Sequence, residues 1–336
     1  MSNLKSQIWG NYQLYSLTNS HGTQVDISDL GAIIVNFFSK NSNGKLKNIV
    51  LGYDEPQRYL DSQCYFGCVV GPWANRIANG KYTIDSLAVE LETNEGTNHL
   101  HGASANIGSK RWRVTVAEEH FIELTTSTLS GEAGYPHDID FKVIYELTEE
   151  NKLKIGYFAT PHGKTPINMT QHTYFNLAES KDILDHSLQI ESHHYLLVDS
   201  ESIPLDNADV TNTPMDFRVK KRVSQDIDDN FSQLAQAGGF DHCWCFDSTE
   251  MKKVATLYSP NKDLGLEVYT DQIGMQFYSG NFIVKEQGRN NKIYEKHAGL
   301  CLETQNYPNK INMDGREDCI FESSSPYSHF VTYKVI

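Results

Sequence analysis

The sequence predicts an all-β protein, a single large antiparallel β-sandwich with few short helices, and three observations carry that prediction. Apolar residues recur at every second position in many separate segments, the pattern of half-buried strands. Asn-Gly and Asp-containing turns punctuate those segments, because Asn and Gly tolerate the positive φ that tight hairpins demand. Hydrophobic residues make up 39% of the 336 positions and aromatic residues 11%, enough to fill a core between two sheets. No period of about 20–50 residues repeats, which argues against a propeller or solenoid. No Pro/Ser/Gly-rich linker or charge block interrupts the strands either, so residues 1–336 read as one domain.

In chain order, Tyr82 and Ile84 alternate with polar neighbours and are answered by Leu87, Val89 and Leu91. Trp112, Val114 and Val116 are followed by Ile122 and Leu124. Phe141, Val143, Tyr145 and Leu147 stop at the polar residues 148–151, and the pattern resumes at Leu153, Ile155 and Tyr157, which is a hairpin. Leu264, Leu266 and Val268, then Val331, Tyr333 and Val335, continue the same period. Asn43-Gly44, Asn79-Gly80 and residues 263–265 supply turns, and Asn79-Gly80 reads as a hairpin turn. One segment differs: over residues 224–237, Ile227, Phe231 and Leu234 recur at helical spacing, Asp residues crowd the first turn, and Gly238-Gly239 suits a C-terminal cap. With this many strands and so little helix, two packed antiparallel sheets bury the alternating faces best.

Charge and composition narrow the function. The 29 basic and 43 acidic side chains give a net charge of −14, and no run of Lys or Arg stands out. Nucleic acids and anionic membrane surfaces are bound through clustered cations, so neither is expected as a partner. The first ten residues lack the basic and apolar regions of a secretory signal, and no apolar run approaches the roughly 20 residues needed to span a bilayer. A cytoplasmic protein is expected. The six cysteines, Cys64, Cys68, Cys243, Cys245, Cys301 and Cys319, sit mostly in apolar settings. Neither Cys64-x3-Cys68 nor Cys243-x-Cys245 has structural-zinc spacing, so reduced thiols are expected and no metal.

Four stretches carry unusual polar density. In Gly71-Pro-Trp-Ala-Asn-Arg-Ile-Ala-Asn-Gly80, Asn75 and Arg76 together offer an amide and a planar fork of donors suited to sugar hydroxyls or a carboxylate. The competing reading is a surface ion pair. In Asn98-His-Leu-His-Gly102, a strand would put His99 and His101 on one face as a metal pair, yet no carboxylate follows in Ala103-Ser-Ala-Asn106, so no metal is assigned. Asn168-Met-Thr-Gln-His-Thr-Tyr-Phe-Asn176 places His172 among hydrogen-bonding and aromatic neighbours, where a lone His is ordinarily structural. In Gly299-Leu-Cys-Leu-Glu303, a carboxylate directly after an apolar run reads as a strand end near the core, where desolvation raises its pKa towards a useful base. The alternative is a Glu that alternates outward. Gly239-Phe-Asp241-His242 adds another acid after the helical turn.

Taken together these residues resemble the aldose 1-epimerases, or galactose mutarotases. The resemblance rests on Ala74-Asn-Arg-Ile-Ala-Asn-Gly80, Asn98-His-Leu-His-Gly102, Thr170-Gln-His-Thr-Tyr-Phe-Asn-Leu177, Thr213-Pro-Met-Asp-Phe-Arg218, Gly239-Phe-Asp-His242, Gln276-Phe-Tyr-Ser-Gly-Asn281 and Leu302-Glu-Thr-Gln-Asn-Tyr-Pro308. They come in the family's order and cover the chain nearly end to end. The resemblance implies a β-supersandwich that interconverts the α and β anomers of free aldoses such as galactose and glucose, without cofactor or metal, as a monomer or homodimer. By position it implies Glu303 as the general base that removes the O1 proton, and His172 as the general acid that protonates the ring oxygen. His101 is implied as an auxiliary group that hydrogen-bonds the sugar. Asn75, Arg76, Tyr174, Asp241 and Gln276 are implied as further substrate contacts. Acid and base are expected on opposite sides of the O5–C1 unit. The chain departs from the family at Pro72-Trp73, at Gly102-Ala103 and in the loop from Ile107 to Trp112, all expected to border the cleft.

Three rival functions give different expectations. A glycoside hydrolase needs two carboxylates facing one bond, at roughly 5–5.5 or 6.5–9.5 Å, and casting Glu303 and Asp241 so leaves His172 without a role. A non-catalytic sugar binder would keep the aromatic and polar contacts while losing the Glu or the His. An enzyme for hexose 6-phosphates would want extra cations at its cleft.

Overall fold

A computed structural model describes residues 4–336, and two large antiparallel sheets dominate it. The nine-stranded sheet has the spatial order Arg113–Glu118, Phe121–Thr128, Ile139–Leu147, Lys152–Pro161, Tyr327–Val335, Gly265–Thr270, Lys252–Tyr258, Ser187–Ile190, Lys221–Arg222. The six-stranded sheet runs Tyr174–Phe175, Leu300–Gln305, Gly274–Tyr278, Asp241–Cys245, His194–Val198, Pro204–Asp209. A five-stranded meander formed by residues 5–48 adds a third sheet.

Period two explains the nine-stranded sheet. On Ile139–Leu147 every odd-numbered residue is buried, from Ile139 through Phe141, Val143 and Tyr145 to Leu147. Leu147 pairs with Leu153 in the hairpin that the polar residues 148–151 were expected to make, and Asn151 takes the positive φ of 57°. These side chains meet Trp244, Met275, Phe277, Leu300 and Leu302 of the six-stranded sheet, together with Val25, Ile27 and Phe37 of the meander, in one continuous core. Emptying one such position, for example Phe141→Ala, costs about 3–5 kcal/mol through lost transfer energy and the cavity left behind.

One local expectation is narrowed and one corrected. The short helix or helical turn expected within residues 224–237 is the six-residue helix Ser232–Ala237. The Asp-rich stretch before it turns instead of continuing a helix, with the Asp229 N–H donating to the Asp226 carbonyl; Lys221 pairs with Asp226, and Phe231 is extended at φ −97°. Gly238 does end the helix in the left-handed region at φ 65°. Asn79-Gly80 adopts positive φ at both residues but does not close a hairpin. It links Arg76–Ile77, which pairs with His99–Leu100, to Lys81–Ile84, which pairs with Leu87–Glu90. A second short helix, Pro56–Asp61, has no helical period in the sequence and is marked there only by proline at its start.

Candidate active site

The six-stranded sheet turns one face to the core and the other to a cleft of about 790 Å³. Its register sets the cleft floor row by row. Tyr174 pairs with Cys301, Cys301 with Tyr278, and Tyr278 with Asp241. One row along, Glu303 pairs with Gln276, and Gln276 with Cys243. Because side chains alternate along a strand, Cys301 and Glu303 share the cleft face while Leu300 and Leu302 enter the core. The strand Leu300–Gln305 is buried on both faces, so Glu303 lies inside a strand and not at its end, and it does not turn to solvent.

The cleft wall comes from the short pairing of Arg76–Ile77 with His99–Leu100. Asn75 and His101, both at positive φ (66° and 53°), grip each other across it. The Asn75 amide N–H donates to His101 Nδ1 at 3.1 Å, and the His101 amide N–H donates to the Asn75 carbonyl at 3.2 Å. The backbone reversal at His101 also separates the two histidines expected on one strand face. His99 turns away from the cleft, with Nδ1 at 2.7 Å from the Glu92 carbonyl and Nε2 at 2.9 Å from the Tyr135 hydroxyl. The structure therefore brings Asn75, Arg76, His101, His172, Tyr174, Asp241, Gln276 and Glu303 to one cavity.

At its centre His172 Nε2 lies 3.8 Å from Glu303 Oε1, and the two residues are 5% and 2% exposed. Burial, then the nearby negative charge of Asp241, pushes the Glu303 carboxyl well above its ordinary range, while the Arg76 guanidinium works the other way. Burial lowers His172 to about 4. His101 is lowered well below 6.5 by burial and by the neighbouring His172, Arg76 and His99. His172 and Glu303 thus meet side by side on the floor of the cleft.

Arg76 is held as a fork, Nε donating to Glu95 Oε2 at 2.5 Å and Nη2 to Glu95 Oε1 at 2.7 Å. It is an ion pair, as the competing reading held, but one built into the cleft wall. Gln276 Nε2 donates to Asp241 Oδ1 at 2.7 Å, and Gln276 Oε1 is buried with no partner among the described residues. An orphaned acceptor beside a carboxylate suits a ligand hydroxyl, since leaving it unpaired carries the full desolvation cost. One donor atom each from His172, Cys301 and Glu303 lies within 4.8 Å of the others. Cys301 Sγ, however, meets His172 Nδ1 at 3.5 Å while Glu303 faces Nε2. The two neighbours face opposite ring nitrogens, the thiol within hydrogen-bond distance and the carboxylate beyond it at 3.8 Å.

Several cleft residues carried no readable signal. Tyr65, at φ 56°, stacks on His172 at 5.7 Å and meets His101 edge-on at 4.9 Å. Glu95 anchors Arg76 from the far side of a turn. Arg58 and Glu286 pair at 3.2 Å on the rim, beside the exposed Phe282 and Val284. Tyr278 lies two residues from Gln276 and so on the same strand face, a signal the alternation carries. The departures at Pro72-Trp73, Ala103 and the loop from Ile107 to Trp112 do not line the cleft. Trp73 is fully buried with its indole donating to the Arg76 carbonyl at 3.1 Å, and Trp112 donates to the Ile107 carbonyl at 3.0 Å.

Comparison with known proteins agrees with this geometry. The sequence profile of the family described as aldose 1-epimerase matches residues 13–334. Aldose 1-epimerase of Escherichia coli K12 is 34% identical over 97% of this chain and 95% of the relative. Galactose mutarotase of Mus musculus is 37% identical over 92% and 90%. Among solved structures, galactose 1-epimerase from Lactobacillus acidophilus superposes with a TM-score of 0.86 at 25% identity, covering 99% of both chains. An aldose epimerase homologue from C. elegans gives 0.88 at 23% identity, over 97% of this chain and 99% of that one. The chain belongs to the aldose 1-epimerase family, isomerases that interconvert the anomers of aldoses.

Proposed function

We propose that Glu303 and His172 carry this anomer interconversion as base and acid, on free aldoses such as galactose and glucose. The observation that carries the assignment is their 3.8 Å approach, buried, on the floor of the cleft. Glu303 takes the O1 proton, the O1 electrons form the carbonyl, the C1–O5 bond breaks, and His172 Nε2 delivers its proton to O5. Rotation about C1–C2 and closure with the roles reversed give the other anomer.

The pair needs one proton between its two members. Burial favours carboxyl and neutral imidazole, the state that closes the open chain. Carboxylate and imidazolium, the state that opens the ring, gain about 4 kcal/mol of mutual attraction at 3.8 Å if the effective dielectric is about 20. That attraction offsets much of the burial cost, so both states are reachable and no proton is drawn from solvent in a turnover.

His101 stays neutral. With Nδ1 occupied by the Asn75 N–H, its proton is on Nε2, a fixed donor for a sugar oxygen. Asn75, Arg76, Tyr174, Asp241 and Gln276 bind the non-reacting hydroxyls. Five carboxylates line the cleft, from Asp61, Glu95, Asp241, Glu286 and Glu303, against two guanidiniums, Arg58 and Arg76, each already paired with one of them. Such a surface repels a phosphate, which supports a free sugar over a hexose 6-phosphate. All the site residues come from one chain, so a monomer or a homodimer suffices. The six unpaired cysteines suit the reducing cytoplasm.

Polarimetry on freshly dissolved α-galactose and α-glucose tests the reading. Accelerated relaxation of both sugars, lost in Glu303→Gln and His172→Asn, is expected, with no acceleration for a hexose 6-phosphate. Preference for the phosphorylated sugar would overturn the substrate assignment.

A further inference from the structure

His172 lies against two tyrosine rings. Tyr65 is near-parallel to the imidazole, at an interplanar angle of 26° with centroids 5.7 Å apart, and Tyr174 is near-parallel at 21° and 5.1 Å. Backbone hydrogen bonds hold Tyr65 there. The Cys68 N–H donates to the Tyr65 carbonyl at 3.2 Å and closes a turn; the Gly67 N–H of that turn donates to the His172 carbonyl at 2.8 Å, and its Cys68 carbonyl accepts from the His172 N–H at 2.9 Å. The turn that carries Tyr65 is therefore pinned to the backbone of His172 itself. Tyr65 adopts φ 56°, a left-handed conformation that is an outlier for a bulky side chain and persists only where the surroundings impose it. Its hydroxyl has no hydrogen-bond partner among the described residues, so its contacts are made by the ring.

We propose that Tyr65 is a positioning residue whose ring face stabilises the charged His172 imidazole as the sugar ring opens. The inference rests on the reading of His172 as the acid. An aromatic face carries partial negative charge and attracts a cation lying within about 6 Å of its centroid, more strongly where water is excluded. Tyr65 meets that condition for an imidazolium at His172. Burial favours the neutral pair of carboxyl and imidazole, so the proton must pass from Glu303 to His172 before the sugar opens, and the aromatic face lowers the free energy of that charged state. Of the other groups around the ring, Glu303 faces Nε2, Cys301 faces Nδ1, and His101 and Tyr278 meet it edge-to-face. Burial keeps Cys301 a thiol and His101 neutral, which leaves Glu303 as the charged partner. Tyr174 offers a second aromatic face, and its assignment to the sugar makes Tyr65 the cleaner position to alter.

The test places phenylalanine and its mono-, di- and trifluorinated analogues at position 65, beside Tyr65→Leu, and follows each protein by polarimetry. Fluorine withdraws electron density from the ring face at nearly constant size, and every member of the series bears the same backbone cost at positive φ. Tyr65→Phe is expected to keep kcat within about twofold of wild type, since the face is retained. Each added fluorine is expected to lower kcat further, by roughly threefold to tenfold across the series, at unchanged KM. Packing alone does not produce a graded loss of that kind. Tyr65→Leu, which fills space without an aromatic face, is expected to lose at least as much kcat as the trifluorinated ring. A flat series would overturn the proposal, and so would a rise in KM at constant kcat, which would make Tyr65 a sugar contact instead. If Tyr65→Leu does not fold, the fluorinated series decides alone. Wild-type turnover in His172→Asn would instead remove His172 as the acid, an outcome distinct from a flat series.

Discussion

Replacing Arg76 by Lys separates sugar binding from scaffolding. The guanidinium spends Nε and Nη2 on Glu95 and leaves Nη1 beside Asn75 Oδ1 at 3.4 Å, in the wall of the cleft. An ammonium keeps the positive charge that Glu303 and Asp241 feel, but a point donor cannot hold Glu95 in a fork and also reach a sugar hydroxyl. A hydrogen bond from a charged donor contributes about 1.5–3 kcal/mol, so KM is expected to rise roughly tenfold or more. The hydroxyls concerned do not react, so the contact is alike in ground and transition states and kcat stays nearly constant. Arg76→Met additionally removes the cation that holds the Glu303 pKa down, so it is expected to lower kcat as well. Glu95 is 39% exposed at its side chain, which limits the stability cost of losing the pair to about 1 kcal/mol. Polarimetric progress curves over a range of α-galactose concentrations, with melting temperatures on the same preparations, read all three quantities. A lowered melting temperature with unchanged KM would refute the reasoning and leave Arg76 a purely structural residue.

Further outcomes follow from the same geometry. Activity should be bell-shaped in pH: below the lowered His172 pKa of about 4 the pair carries two protons, and above the raised Glu303 pKa it carries none. A profile that keeps rising through the alkaline range contradicts a base with a raised pKa. Exhaustive dialysis against EDTA should leave turnover intact, since every step of the proposed mechanism is a side-chain proton transfer; loss that zinc or manganese restores would reject it. His99→Ala should destabilise by about 1–3 kcal/mol by stranding the Glu92 carbonyl and Tyr135 hydroxyl, with kcat and KM near wild type, because His99 faces away from the cleft.

Much of the fold was legible because period two is a local property. The hairpin centred on residues 148–151 and the C-terminal strand follow directly from alternating apolar residues. What escaped the local pattern was decided by register or by local turns. Asp-rich residues 226–229 have helical apolar spacing, yet their side chains favour turns, so the helix begins at Ser232. His-x-His spacing predicts one strand face, but the positive φ at His101 ends the strand and turns its ring into the cleft. The candidate site residues were legible one at a time, through polar density and the family's motifs. Their convergence was not, since the row joining Tyr174, Cys301, Tyr278 and Asp241 pairs segments far apart in the chain. Glu95, the partner of Arg76, was invisible for the same reason: nothing in its own neighbourhood says where the turn before His99 will fold.

The pairing of Glu303 with His172 is the centre of the account, and Glu303→Gln tests it most directly. The amide keeps the volume and most of the hydrogen bonding of the carboxyl, so the fold is expected to persist while the proton acceptor is lost. Polarimetry of fresh α-galactose should then show turnover reduced by roughly 10²–10⁴-fold at an unchanged melting temperature. Near-wild-type turnover in that folded variant would contradict the account.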